Sequence, residues 1–331
     1  MKKVQEEEIR PEKIFDEYLR LTKIDTHDFF NNSDKVKIKC PACGKNDYEL
    51  WAKKNDFEYQ LCNNCQSIYV SPRPLIKYFN SYYQDSPSTK YWATTFYKET
   101  ELARRDKLWI PKAKLVKDLI IKYQGSNFIK NLVDIGGGYA VFDEEISKIM
   151  NLNITVIEPS LHLAKICRGK GFDVIEKFME DIEYDELTQD RKCFVSFELF
   201  EHLHNPEEFL INLNKCMKSG DIFIFTTLSG IGLDIQVLRE DAKALSPPHH
   251  LNFLNPKAVS MLLERNGFDV LEATTPGKLD IDILERNKEN IKDIFWKNYI
   301  DYSSDSEKEK MQQFISDSGL SSHMMITSIK K

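Results

Sequence analysis

Residues 132–140, Leu-Val-Asp-Ile-Gly-Gly-Gly-Tyr-Ala, constrain the fold of this chain more than any other stretch. An apolar run leads into three glycines, and the next apolar run, Ile154-Thr-Val-Ile157, ends in Glu158. That order predicts a strand, a tight turn, a helix and a second strand tipped by a carboxylate, the arrangement that holds a nucleoside at the carboxyl edge of a parallel sheet. A small adenosine-containing cofactor is expected here. Two plainer readings stand beside it: a strand-to-helix connection whose glycines only supply left-handed backbone, and a solvated carboxylate at 158.

The turn itself selects among cofactors. A dinucleotide fingerprint, G-x-G-x-x-G/A, lets a helix N-terminus approach a pyrophosphate, but the sixth position from Gly136 is the β-branched Val141. Asp134 precedes the first glycine by two residues, where a carboxylate would oppose an anion and attract the ammonium or sulfonium of S-adenosylmethionine. With Asp134, Gly136 and Gly138 in place, the stretch resembles motif I, D-x-G-x-G-x-G, of class I S-adenosylmethionine-dependent methyltransferases. Ala140 stands where the last glycine is common.

The resemblance extends further along the chain. Phe194-Val-Ser-Phe197-Glu198 reads as a buried strand ending in an acid, and residues 197–206, FELFEHLHNP, are similar to the F-E-x-x-E-H-x-x-x-P segment after the fourth strand of one large methyltransferase subfamily. Pro247-Pro-His-His-Leu-Asn-Phe253 and a helix from about Pro256 to Asn266 followed by Gly267-Phe268 are similar to later segments of that subfamily. The family implies that Asp134, Gly136, Gly137, Gly138, Glu158, Pro159, Asp181, Phe197 and Glu198 hold the cofactor. Glu158 would grip the ribose hydroxyls, and Asp181, or its neighbour Glu180, would lie near the adenine amino group.

Cysteine spacing is the second strong signal. Cys40-Pro-Ala-Cys43 and Cys62-Asn-Asn-Cys65 are C-x2-C pairs with eighteen residues, 44 to 61, between them, a spacing suited to a tetrahedral zinc ribbon. Alternating runs at 48–52 and 57–61 fit a hairpin joining the two knuckles. Four thiolates close the coordination shell, so the zinc is expected to be structural rather than catalytic. Unligated thiols or two disulfides are the alternatives. Cys167, Cys193 and Cys216 fall in apolar patterns and are expected in the core.

A chain of 331 residues exceeds one comfortable core. Its reading is α/β: a Rossmann-like seven-stranded class I methyltransferase sheet, with a small N-terminal zinc ribbon and a helical lid. The expected segments are a helical extension over 1–35, the ribbon over 36–75, a helical linker or lid over 76–125 and the cofactor-binding domain over 126–331, with a charged helical insertion at about 280–318. Tyr82, Tyr83, Tyr91, Trp92 and Arg104 would line the lid, or else pack the ribbon. Strands are expected near 131–135, 153–158, 172–175, 192–198 and 221–227, closed by an antiparallel pair at 268–275 and 322–329. The start of the chain has no apolar leader and no apolar run reaches membrane-spanning length, so a cytoplasmic protein without a membrane span is expected.

Methyl transfer asks mainly for in-line alignment, plus a base where the acceptor is a hydroxyl. His202 is the first candidate base, since it follows the fourth strand and its ordinary pKa permits proton acceptance near neutrality. Glu201 could orient it or act in its place. His249 and His250 lie in a proline-rich loop after the fifth strand and are further candidates. For each histidine the alternative is a hydrogen bond that fixes a loop.

Ser246-Pro-Pro-His lies after strand five, not after strand four where amino-directed nucleic-acid methyltransferases carry their N/D/S-P-P-Y/F motif, which disfavours exocyclic amines. The ribbon, Tyr69-Val-Ser-Pro-Arg-Pro74 and the F-E-x-x-E-H core together resemble methyltransferases of bacterial sugar, nucleotide-sugar or surface-glycan pathways. That resemblance implies a small-molecule or glycan substrate, with O-methylation of a sugar hydroxyl first and C-methylation second. An RNA methyltransferase gripping its substrate with the ribbon is an alternative. From Lys35 to Lys77, however, eight Lys/Arg against four Asp/Glu give a formal +4 before zinc and four thiolates remove two charges, and the whole chain carries −6, so nucleic acid is disfavoured. A non-catalytic scaffold is the third reading, and the intact Asp134, Glu158 and Glu201-His202 speak against it.

Overall fold

The computed structural model describes residues 5–125 and 129–331. The charged first four residues and the expected boundary at 126 lie outside them. The chain divides into two compact units, one made of Met1–Ala103, Leu228–Val259 and Thr274–Met324, the other of Arg104–Thr227, Ser260–Ala273 and Met325–Lys331.

The second unit is built on a seven-stranded sheet whose order in space is 268–274, 323–330, 222–228, 192–197, 131–135, 153–157 and 173–175. The strands from 222–228 to 173–175 run parallel. The 323–330 strand is reversed against 222–228: Gly220 N–H donates to the Lys330 carbonyl at 2.9 Å and Lys330 N–H to that of Asp221 at 3.0 Å. The three central strands, 131–135, 192–197 and 222–228, are buried at every position, as parallel strands covered on both faces must be. Leu132, Val195 and Ile224 pack there with Val116 and Ile120 of helix 110–124 and Phe142 of helix 141–147.

Strand order reverses at 131–135, whose partners are 153–157 on one side and 192–197 on the other. The crevice beyond the carboxyl ends of these strands is where such a sheet binds its ligand. Local sequence fixes the helices around it. Ser160 caps helix 161–169 by accepting the Leu163 N–H, and Asn205 with Pro206 starts helix 206–216.

The first unit holds a four-stranded antiparallel sheet ordered 252–253, 68–70, 57–62 and 48–54. Asn55 and Asp56 turn the 48–54/57–62 hairpin with both φ positive, 45° and 61°, the tight two-residue turn that Asn and Asp tolerate best. Apolar spacing at Ile14, Phe15, Tyr18 and Leu19 predicts a short helix from Pro11 to about Thr22, but the helix runs from Glu12 to Phe30, because Thr22 and Thr26 return their hydroxyls to carbonyls one turn back while Phe30 enters the core with Phe57, Phe79 and Tyr82. Arg73 is almost fully buried and reaches the Leu251 carbonyl and the Asn252 Oδ1, at 2.8 Å, tying its segment to the 252–253 strand. Residues 280–318 contain helices 280–286, 294–302 and 305–317. Among the described residues no helix is long and apolar enough to cross a membrane.

Candidate functional site

The glycine turn follows from the backbone it must adopt. Gly136 and Gly138 have φ of +76° and +58°, a region other residues enter at a cost of roughly 1–2 kcal/mol. Gly137 is required for space: a Cβ there would lie 2.6 Å from Val156 Cγ1 and 3.0 Å from Asp134 Oδ2. Ala140 also takes left-handed backbone, at φ 52°, directly before helix 141–147. Glu158 closes the turn from the neighbouring strand, its Oε2 accepting the Gly138 N–H at 3.1 Å and its Oε1 the Ser160 N–H at 3.0 Å. Burial raises its pKa against those two amides. Each oxygen keeps a lone pair for a ligand hydroxyl. Cys167 supports the turn from beneath by donating its thiol to the Gly138 carbonyl at 3.2 Å.

Asp134 lies under Gly137 and is buried. Its carboxyl is within hydrogen-bonding reach of a second buried acid, Asp143, in the first turn of helix 141–147. Burial raises both groups, so the pair keeps a proton.

A second cluster lies at the carboxyl ends of strands 192–197 and 222–228. Glu198 takes left-handed backbone, φ 54°, immediately after the strand, a strained geometry for a non-glycine residue. Its Oε1 accepts the Thr226 hydroxyl at 2.6 Å and the Lys112 ammonium at 3.3 Å. Lys112 also reaches Thr226 Oγ1 at 3.1 Å and lies 4.6 Å from the Phe197 ring centre and 5.0 Å from that of Trp109, so aromatic faces and a carboxylate replace the water its charge has lost. Burial nevertheless lowers its pKa. Glu201 is buried, accepts the Thr227 hydroxyl at 2.8 Å and is pushed up to about 8, by burial first and Glu198 second. It therefore keeps its proton at neutral pH. His202, next in sequence, is half-buried.

The structure brings Asp134, Gly136, Gly137, Gly138 and Glu158 together in one turn, with Leu199 of the 197–206 segment so close that a Cβ on Gly136 would meet it at 3.2 Å. The Phe197 ring packs on Phe142 at 4.6 Å in the core. Pro159 and Asp181 are exposed. Lys112, Asp143, Thr226 and Thr227 carry no sequence signal that would have singled them out: an acid in a helix's first turn reads as a solvated cap, and the others sit in ordinary apolar or cationic patterns.

His249 and His250 belong to the first unit. His249 Nε2 is 2.6 Å from the Tyr82 hydroxyl, which also bonds Ser88, and the rings of Tyr18, Tyr82 and Tyr83 surround it. His250 Nδ1 is 2.6 Å from the Ala244 carbonyl. The four sulfurs of Cys40, Cys43, Cys62 and Cys65 all lie within 4.8 Å of one another, with Cys40–Cys65 and Cys43–Cys62 pairs at 3.5 Å. Four sulfurs about 2.3 Å from one zinc would lie about 3.8 Å apart, so the cluster fits a tetrahedral ion. Asn255 donates to the Cys65 carbonyl at 2.7 Å and holds the second knuckle in place.

Comparison with curated protein sequences gives no match. Among solved structures, the chain is similar to a chain of the complex between the Haloferax volcanii Trm112 methyltransferase activator and a methyltransferase, with 12% identity, 72% of this chain and 96% of that one covered, and a TM-score of 0.49. It is similar to Haemonchus contortus phosphoethanolamine N-methyltransferase 2 in complex with S-adenosyl-L-methionine, with 13% identity, 73% and 59% covered, and a TM-score of 0.49. An S-adenosylmethionine-dependent methyltransferase from Mesorhizobium loti gives 10% identity, 68% and 100% covered, and a TM-score of 0.45. The profile of the family described as "Methyltransferase domain" matches residues 100–273, just over half of the chain and a span that includes the glycine turn, Glu158 and the 197–206 segment. The chain belongs to that family and is an S-adenosylmethionine-dependent methyltransferase.

Proposed function

We propose that the enzyme methylates a hydroxyl of a sugar, nucleotide sugar or surface glycan, and that the four cysteines hold a structural zinc. The observation that carries the cofactor's placement is the turn at 136–138, flanked by Asp134 below and by Glu158 at the tip of the next strand. Glu158 would take the ribose hydroxyls, the Asp134 end the ammonium, and the exposed Leu161 and Phe178 offer apolar surface beside Pro159 and Asp181 for the base. Bound there, S-adenosylmethionine supplies an activated methyl group. The protein's own contribution is to align the acceptor and to take its proton.

His202 is the base in this reading. Glu201 beside it holds a proton at neutral pH, which makes it a poor base there and leaves the imidazole as the acceptor. The hydroxyl acceptor is supported by the 197–206 segment and the four-cysteine ribbon, whose combination resembles glycan-pathway methyltransferases.

The test is transfer of labelled methyl from S-adenosylmethionine to a panel of nucleotide sugars, surface glycans and RNA, with native protein and His202→Ala. Label in a sugar hydroxyl, a turnover loss of about 10²–10⁴-fold in the variant and nearly unchanged cofactor affinity are expected. Label only in RNA overturns the acceptor. Full turnover in His202→Ala overturns the base.

A further inference from the structure

The acid pair beneath the glycine turn has no counterpart in the roles assigned so far. Asp143 is fully buried and Asp134 nearly so, and Asp134 Oδ1 and both Asp143 oxygens accept no hydrogen bond from any other group among the described residues. The charged groups around them are engaged elsewhere. Lys112, from helix 110–124, is held by Glu198 and Thr226. Lys170, at the end of helix 161–169, donates at 2.8 Å both to the Tyr139 carbonyl and to Glu144, which lies on Asp143's own helix. Glu158 bonds the Gly138 and Ser160 amides, and the Cys167 thiol donates to the Gly138 carbonyl. Two buried carboxyls in contact, with no cation bonded to them, cannot both be ionised. Asp134 lies directly under the turn that carries the ligand, its Oδ2 3.0 Å from where a Cβ on Gly137 would be.

We propose that Asp143 and Asp134 share one proton in the free enzyme, that the ammonium of the amino-acid end of the ligand displaces it, and that Asp143 thereby makes the site selective for that cationic end over a neutral nucleoside. The inference rests on the reading that the turn holds S-adenosylmethionine. Before binding, the pair has two carboxyls and one proton, a net charge of −1. On binding, the acid O–H bond breaks and its proton goes to solvent. Two carboxylates then face one ammonium, again a net −1. The exchange leaves the buried charge unchanged while replacing a donor that fits only the pair with one that also joins the ligand. A nucleoside without the ammonium leaves the proton in place and gains nothing from the pair. Because both Asp134 and Asp143 are raised by burial, the proton is present at neutral pH.

The test is titration calorimetry of S-adenosylhomocysteine into native protein at pH 7.5, in two buffers of different ionisation enthalpy, and again at pH 6.5. Close to one proton released per ligand is expected, with affinity rising toward tenfold per pH unit. 5′-Methylthioadenosine, which lacks the amino-acid end, should bind without proton release. In Asp143→Asn the amide can donate to an ionised Asp134, so release should fall to near zero and the pH dependence should flatten. Equal heats in both buffers for the native protein overturn the proposal and leave the cofactor site intact, and this readout does not depend on the variant's folding. Failure of the native protein to bind S-adenosylhomocysteine at all overturns both readings together.

Discussion

Adjacent glycines in the turn are required for different reasons, and substitution separates them. At Gly138 nothing lies within 4 Å of an added Cβ, so Gly138→Ala meets only the left-handed backbone and should cost roughly 1–2 kcal/mol. At Gly137 the added carbon overlaps Val156 Cγ1 at 2.6 Å and crowds Asp134. Either the 153–157 strand or the turn must move, at roughly 1–3 kcal/mol for overpacking. Movement there displaces the carboxylate expected to meet the ligand, so Gly137→Ala should weaken S-adenosylhomocysteine binding well beyond Gly138→Ala. Calorimetry alongside thermal unfolding checks this, and equal affinities in the two variants would refute the steric argument. The glycines were legible in the sequence because backbone conformation leaves a residue-type signature. Asp143 was not, because burial of an acid depends on what packs over it: here helix 141–147 faces strand 131–135 and turns Asp143 inward. Lys112 was hidden for a similar reason, since its partner Glu198 is 86 positions away in sequence.

Elements with short-range chemistry were read well from sequence, and those governed by packing less so. The hairpin at 48–54 and 57–62 follows from alternation and the Asn55-Asp56 turn, and the sulfur cluster from C-x2-C spacing. Helix 12–30 ran past its expected end because the residues that extend it, Thr22, Asp25 and Thr26, are polar, and their burial could not be inferred from periodicity. The knuckle cluster yields an element-scale prediction. Two short loops carry the four cysteines; backbone bonds close each one, Gly44 N–H to the Cys40 carbonyl and Gln66 N–H to that of Cys62, and a shared cation would join the two through their sulfurs. Metal should therefore supply much of their order. Purified protein should contain one zinc per chain, and Cys40→Ser or prolonged chelation should lower the melting temperature. Metal-free protein with an unchanged melting curve would show that the thiols need no ion.

At the scale of the whole molecule, the alternation of apolar runs made the parallel strands legible. The pairing of 323–330 with 268–274 was expected from the sequence, whereas its place beside 222–228, about a hundred residues away, could not be read from local pattern. Each of the two units also buries an acid that keeps its proton, and this sets how stability depends on pH. Glu201 lies in one unit. Asp234 lies in the other: burial and then Asp280 push it up to about 8, and its Oδ1 has no hydrogen-bond partner among the described residues, while Asp280 takes the Ser321 hydroxyl, the Gln312 amide and the Ser322 N–H. The native state holds these protons after the unfolded chain, with ordinary pKa values near 4, has lost them. Their contribution to stability is thus fully present below about pH 4 and lost as pH rises toward 8, by roughly 1.4 kcal/mol per pH unit for each group. Asp143, pushed up to about 7 by burial, acts in the same window with the same sign, while others act outside it. Glu186, held low by a hydrogen bond from Lys177, titrates below it, and Lys54, lowered to about 8 by burial, has the opposite sign above it. Urea unfolding between pH 5.5 and 7.5 should show stability falling with pH. In Asp234→Asn, which keeps the shape without the titrating proton, the slope of the transition reporting the first unit should shrink by about 1.4 kcal/mol per pH unit. Glu201→Gln should do the same for the second. If Asp234→Asn leaves its slope unchanged, Asp234 is already ionised in the native protein, and its orphaned oxygen must be met by a donor such as water.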